Sequence, residues 1–168
     1  MNDLRVGASL AVGGLVLAAL VVGGGYWALD GGLYGCTFAD RRLQDPMADE
    51  VAALGTPGGA RPDGEQYTDC DDDDRFAVAG RGYAEPARRS DVVQHYRAAA
   101  ARNGWQPAPP DPDEPAWRTD PGGERIGLCF TKQVGGTTAH LAVSWAFDGR
   151  PGYTVEARAS RTGSAWCA

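Results

Sequence analysis

Lysine is almost missing from this chain: Lys132 stands alone against fifteen arginines. Basic residues total 16 against 22 acidic ones, and the net charge is −6. That balance removes the broad basic face that phosphate backbones need, so nucleic acid is not an expected partner. Histidine is scarce too, with only His95 and His140. Two distant imidazoles cannot by themselves furnish a zinc centre. No G-x-x-x-x-G-K-[ST] and no G-x-G-x-x-G between a strand and a helix appears, which leaves out the common phosphate cradles. None of Ser90, Ser144, Ser160 or Ser164 stands in the strained G-x-S-x-G turn of a nucleophile elbow. No C-x-x-C pair and no internal repeat is found.

What remains bounds the answer. A length of 168 residues allows one modest domain. Hydrophobics at 43% and aromatics at 9% are too many for a wholly disordered chain. The mean hydropathy is negative, which excludes a polytopic membrane protein.

Residues 6–29 carry no charge, between Arg5 and Asp30. At about 1.5 Å per residue, roughly 20 apolar residues cross a hydrocarbon core of about 30 Å. The run is long enough to cross once, and Tyr26 and Trp27 at its end suit the headgroup level. A cleaved signal peptide needs a small-residue processing site, and Gly23-Gly24-Gly25 is a poor one. A lipidated Cys36 is a further reading, but Leu33-Tyr34-Gly35-Cys36 has Tyr34 where a smaller or branched residue is usual. An uncleaved anchor, a signal-anchor with partner membrane, therefore fits residues 1–30 better than either.

The flanking charges hardly decide orientation. The cysteines do. Cys36, Cys70, Cys129 and Cys167 all follow the anchor, with spacings of 34, 59 and 38 that match no zinc pattern. An even number of dispersed cysteines behind an export-like segment reads as two disulfide bonds in an oxidising compartment. Four cysteines allow three connectivities, and sequence does not choose among them. Nearer pairs meet more readily, which favours Cys36–Cys70 with Cys129–Cys167. The expected location is the cell membrane, single-pass, with the C-terminal domain extracellular.

Residues 31–44 read as a tether and 45–168 as an exported, disulfide-stapled domain. Asp45 as cap, Pro46 at the first helical position and Gly55 as stop predict a short helix, with Met47, Val51 and Leu54 on one face. Residues 55–64 read as loop. Residues 76–83 read as a strand, with Phe76 and Val78 sharing a face. The clearest element follows. Ser90 can cap a helix whose stripe is Val92, Val93, Tyr96, Ala99, Ala100 and Asn103, and Gly104 ends it with Trp105 folding back. Five prolines in residues 107–115 predict an extended connector, and residues 116–118 a short edge strand.

Residues 125–132, 138–147 and 153–159 alternate as a meander, with turns at Gly135-Gly136 and Asp148-Gly149. The fold class is α+β: an antiparallel sheet of four to five strands packed by one long helix and a shorter N-terminal helix, preceded by one transmembrane helix. The motifs His95-Tyr96-Arg97 with Asn103-Gly104-Trp105, Gly127-Leu128-Cys129-Phe130-Thr131-Lys132 and Tyr153-Thr154-Val155 carry a resemblance. The chain resembles uncharacterised membrane-anchored exported domains of high-GC Gram-positive bacteria over residues 70–168. The resemblance implies no activity.

Candidate chemistry is thin. Asp69, Asp71 and Asp73 match the start of an EF-hand loop, but Asp74 stands where glycine should turn and Gly80 where the bidentate glutamate should be. A solvated turn before a strand is the plainer reading of the acidic run, with a weak calcium site as its rival. His95 falls one step off the helix stripe and His140 on a strand face. No catalytic residue, metal ligand or cofactor is identified, and an enzyme is not expected. The expectation is an anchored extracytoplasmic binding or interaction domain with a protein partner in the cell envelope. Its contact surface would be the sheet face opposite the helix, with Trp117 or Trp145 as anchors. The alternatives are a structural envelope component without ligand, and a small envelope hydrolase using carboxylates with His95 or His140.

Overall fold

The computed structural model describes residues 23, 35–85, 88–109, 127–145, 152–161 and 165–167. The predicted anchor apart from Gly23, the proline-rich connector from Pro110 on, Trp117 with its edge strand and the Asp148-Gly149 turn lie outside these residues. Among the described residues no helix is long and apolar enough to cross a membrane.

A single helical turn, α1 (Phe38–Arg41), precedes helix α2 (Gln44–Ala53). Strands β1 (Arg61–Asp71) and β2 (Phe76–Glu85) follow, then helix α3 (Arg89–Arg102). Strands β3 (Gln106–Pro107), β4 (Gly127–Val134), β5 (Thr137–Trp145) and β6 (Tyr153–Ala159) complete the order. All six strands form one sheet in the order β1-β2-β6-β5-β4-β3, and every neighbouring pair is antiparallel. Helix α3 carries the chain from β2 to the far edge at β3. The meander then returns, and β6 closes against β2.

The α+β class stands, but the sheet has six strands rather than four to five. The two additions lie at the edges. Strand β1 is exposed along most of its length, so no apolar alternation marks it. Its charged residues and its register break between Asp63 and Tyr67 are what an edge strand uses to discourage further pairing. It takes up part of the expected loop of residues 55–64 and the start of the acidic run. Strand β3 has two residues, too few to leave a periodic signal.

The core lies between one sheet face and the two helices. Ala77, Ala79 and Tyr83 of β2, Leu141 and Val143 of β5, and Val155 and Ala157 of β6 meet Met47 and Val51 of α2 and Val92, Tyr96, Ala99 and Ala100 of α3. The small alanines let backbones approach closely. Strand β2 thus turns its alanines to the helices, and Phe76 and Val78 share the opposite face. Tyr83 and Tyr153 stack with centroids 4.7 Å apart, and Tyr96 meets Tyr153 edge-on.

Local chemistry explains the ends of the elements. Helix α3 closes as a Schellman motif: Trp105 N–H bonds the Ala100 carbonyl at 2.9 Å and Gly104 N–H that of Ala101 at 3.2 Å. Gly104 takes φ +78° there. Ser90 does not cap α3, which begins one residue earlier, at Arg89, without a side-chain cap. Likewise α2 begins at Gln44, ahead of the expected Asp45 cap, because α1 leads straight into it.

The expected tether differs most. Thr37 and Asp40 form a capping box around α1, and Cys36, Asp40 and Leu43 are fully buried. From Cys36 onward this stretch is packed into the domain. The pairing by proximity holds: Cys36 bonds Cys70 and Cys129 bonds Cys167, with Cα atoms 6.1 and 5.8 Å apart. No free cysteine remains.

Candidate functional site

Among the described residues, each face of the sheet borders a concavity. On the open face, away from the helices, the C-terminal residues lie across the strands. Trp166 packs edge-on against Phe76 at 5.6 Å, and Cys167 is bonded to Cys129 of β4. Phe76 and Val78 are buried on this face. Beside them a cleft of about 630 Å³ is lined by Tyr67, Glu156, Arg158, Trp166 and the aspartates of the β1–β2 turn. Tyr67 donates to Glu156 at 2.5 Å and Arg158 donates to the same carboxylate at 2.7 Å. Burial first, and then the Glu156 carboxylate, hold the Tyr67 hydroxyl well above the ordinary phenol value.

The acidic turn is occupied with its own backbone. Asp71 Oδ1 accepts from Asp73 N–H at 3.1 Å and Asp74 N–H at 3.0 Å. Asp72 Oδ1 accepts from Cys36 N–H at 3.3 Å. Arg75 closes the turn at φ +58°. Asp71 thus serves the turn itself, and Asp72 ties the turn to the segment that begins the domain at Cys36.

The imidazoles do not meet. The His95 ring bonds the Leu54 carbonyl at 3.0 Å, tying α3 to the end of α2. His140 lies on the open face, paired across the sheet with Thr131 and Arg158. Neither directly opposite position supplies a carboxylate. Burial depresses the affinity of His140 for a proton. Its ring nitrogen lies within 4.8 Å of the sulfurs of Cys129 and Cys167. Those sulfurs are bonded to each other, so neither is the thiolate that a metal ligand requires.

On the helix face, α3 and β4 diverge and leave a groove of about 530 Å³. One wall is the α3 stripe Arg89, Val93, Arg97 and Ala101, spaced four residues apart. The other is residues 127–130 of β4, with Trp105 and Trp145 among the apolar lining. The Arg89 guanidinium stacks on the Trp145 ring at 4.5 Å from its centroid. A hollow of about 700 Å³ lined by Ser90, Gln94 and Ala98 continues it around the helix and shares Arg89, Val93 and Arg97. Trp105 Nε1 and Trp145 Nε1 are covered and lack a hydrogen-bond partner, so neither N–H is offered to an incoming ligand.

Trp145 therefore belongs to the helix side, with Leu141 and Val143, and not to the open face. Trp117 is outside the described residues. The groove residues Arg89, Arg97 and Ala101 carried no expectation in the sequence, and Val93 was assigned to the helix core stripe. The sequence carries only the four-residue spacing of this stripe beside the buried one, which does not by itself mark an open wall. No family model, curated protein or solved structure matches the chain.

Proposed function

We propose that this chain is a membrane-anchored, extracytoplasmic binding domain that offers the groove beside α3 to its ligand. The observation that carries the reading is that groove: concave, within the 300–1,000 Å³ typical of ligand sites, mostly apolar, and bounded by two guanidiniums. The charge-free run of residues 6–29 supports the anchor, and the two disulfides support an oxidising compartment.

The test uses the full chain in intact cells. A membrane-impermeant thiol label is applied before and after reduction, with a photoreactive residue at Val93 and membrane fractionation in parallel. The expected result is membrane association, labelling only after reduction, and a discrete cross-link from Val93. Free thiols reachable only after lysis would overturn the location. An exported protein that forms no cross-link from Val93 would favour a structural envelope component.

A further inference from the structure

The open face gathers two sulfurs and an imidazole at one point. Cys129 of β4 pairs with Ala142 of β5, and His140 stands two residues before that partner. Cys129 and His140 are therefore diagonal neighbours on one face. The bond from Cys129 brings the Cys167 sulfur to the same place. The two sulfurs and a His140 ring nitrogen all lie within 4.8 Å of one another. Two cysteines and one histidine are a donor set that holds zinc and leaves a fourth position to water.

The disulfide hides this set, because a bonded sulfur is not a thiolate. Tetrahedral zinc, about 2.3 Å from sulfur and about 2.0 Å from nitrogen, holds its ligand atoms about 3.6–3.8 Å apart. The sulfurs must therefore separate by about 2 Å from their bonded distance. Cys167 lies outside the strands, so it can supply that movement without disturbing the β4–β5 ladder. Two thiolates balance the zinc charge. Arg158, opposite His140, is paired with Glu156 at 2.7 Å, which offsets the nearest cation.

A second group, Cys36, Cys70 and Asp72, has the same reach. Cys36 is fully buried there, whereas Cys129 and Cys167 are both half-buried. A reductant therefore meets the Cys129–Cys167 bond first.

We propose that Cys129, Cys167 and His140 form a zinc site that the disulfide masks and reduction opens. The reductant is a dithiol. One of its thiolates attacks a sulfur of the bond, and its second thiolate resolves the mixed disulfide. It leaves as a disulfide, having given up two electrons. Its two protons pass to Cys129 and Cys167 and are released when zinc binds the thiolates. The site is separate from the groove, so neither reading depends on the other.

The test titrates cobalt(II), a spectroscopic stand-in for zinc, into the full chain in detergent micelles after limited reduction with a phosphine. Peptide mapping identifies the opened bond, and circular dichroism reports the fold of each variant. One equivalent of cobalt is expected to bind, with thiolate charge-transfer and tetrahedral d–d bands that zinc abolishes; the oxidised chain shows neither. His140→Gln should weaken binding tenfold or more, and Asp72→Asn should leave it within about threefold. His140→Cys should keep the metal and raise the charge-transfer intensity from that of two thiolates to that of three, which a merely structural histidine would not give. Absence of the bands in the reduced chain, or an affinity indifferent to His140→Gln together with no third thiolate in His140→Cys, would overturn the proposal. Loss of binding with Asp72→Asn in place of His140→Gln would put the metal at the other cluster and also overturn it, as would opening of Cys36–Cys70 while Cys129–Cys167 stays intact.

Discussion

Replacing Asp40 should destabilise this domain more than any single surface change. The side chain is fully buried, yet it sits in a four-residue helical turn near the start of the domain. Its Oδ2 accepts from Thr37 N–H at 3.1 Å and from Thr37 Oγ1 at 2.6 Å. Its Oδ1 accepts from Arg161 N–H at 2.6 Å and from Ser160 Oγ at 3.3 Å. Asp40 thus joins α1 to the end of β6, 120 residues away. In Asp40→Ala, Ser160 Oγ keeps its bond to the Arg75 carbonyl at 2.7 Å, but the backbone N–H groups of Thr37 and Arg161 lose their acceptor. Each orphaned, part-buried donor costs up to about 1–3 kcal/mol, and a small void adds to that. The sum is about 3–5 kcal/mol, against a total stability of roughly 5–15 kcal/mol for a domain.

Urea unfolding of the oxidised full chain followed by far-ultraviolet circular dichroism would measure this. With a slope near 2 kcal/mol/M the midpoint falls by about 2 M. Asp40→Asn separates hydrogen bonding from volume. Its amide keeps one acceptor and sets a donor against either the Thr37 or the Arg161 donor, so a loss of about 2–4 kcal/mol is expected. An Asn variant within about 0.5 kcal/mol of the parent would refute the reasoning, because the carboxylate would then be only a space-filler.

Three further outcomes follow from particular contacts. Removing the second disulfide with Cys129→Ala and Cys167→Ala opens a loop of 38 residues' separation and should cost about 3–4 kcal/mol in the chain-entropy model, read by the same unfolding assay. Lys132 donates to both Glu50 oxygens at 2.6 and 2.7 Å, joining β4 to α2, and a double-mutant cycle of Lys132→Gln with Glu50→Gln should give a coupling of about 1 kcal/mol. His140 is held below the ordinary imidazole value near 6.5 by burial, so the unfolded chain takes the proton first as pH falls. The stability tied to neutral His140 is therefore full above about pH 6.5 and is lost below it; His140→Gln should flatten the fall between pH 7 and 5, and an identical slope would count against it.

The parts of the fold legible in the sequence are those with a repeating apolar signal. Helix α3 announced its buried stripe at Val92, Tyr96, Ala99 and Ala100, and Asn103-Gly104-Trp105 announced its end. The disulfide pairing followed from proximity in the chain. Strand β1 did not announce itself, because an exposed edge strand has no face that must be apolar. The turn α1 is too short for a period, and its main clue, a capping box between Thr37 and Asp40, uses aspartate where glutamate or glutamine is the usual signature. Alternation correctly grouped Trp145 with Leu141 and Val143. It could not show that this face is the helix side, since that depends on which strand faces the helices pack upon.

The groove was illegible for a related reason. Its residues are apolar or long-chained and sit at a helix boundary, where sequence alone does not separate half-buried packing from an open wall. The structure separates them by what α3 is tied to. One flank of α3 is held to α2, through His95 on the Leu54 carbonyl and Asn103 Nδ2 on the Ala53 carbonyl at 3.4 Å. On the other side Lys132 of β4 reaches past Trp105 to Glu50 of α2, so that link bypasses α3. The stripe from Arg89 to Ala101 is therefore left facing β4 across a gap. A helix anchored along one flank on a twisted sheet leaves such a gap along the other. Here the gap carries arginines on its rim and indoles in its lining.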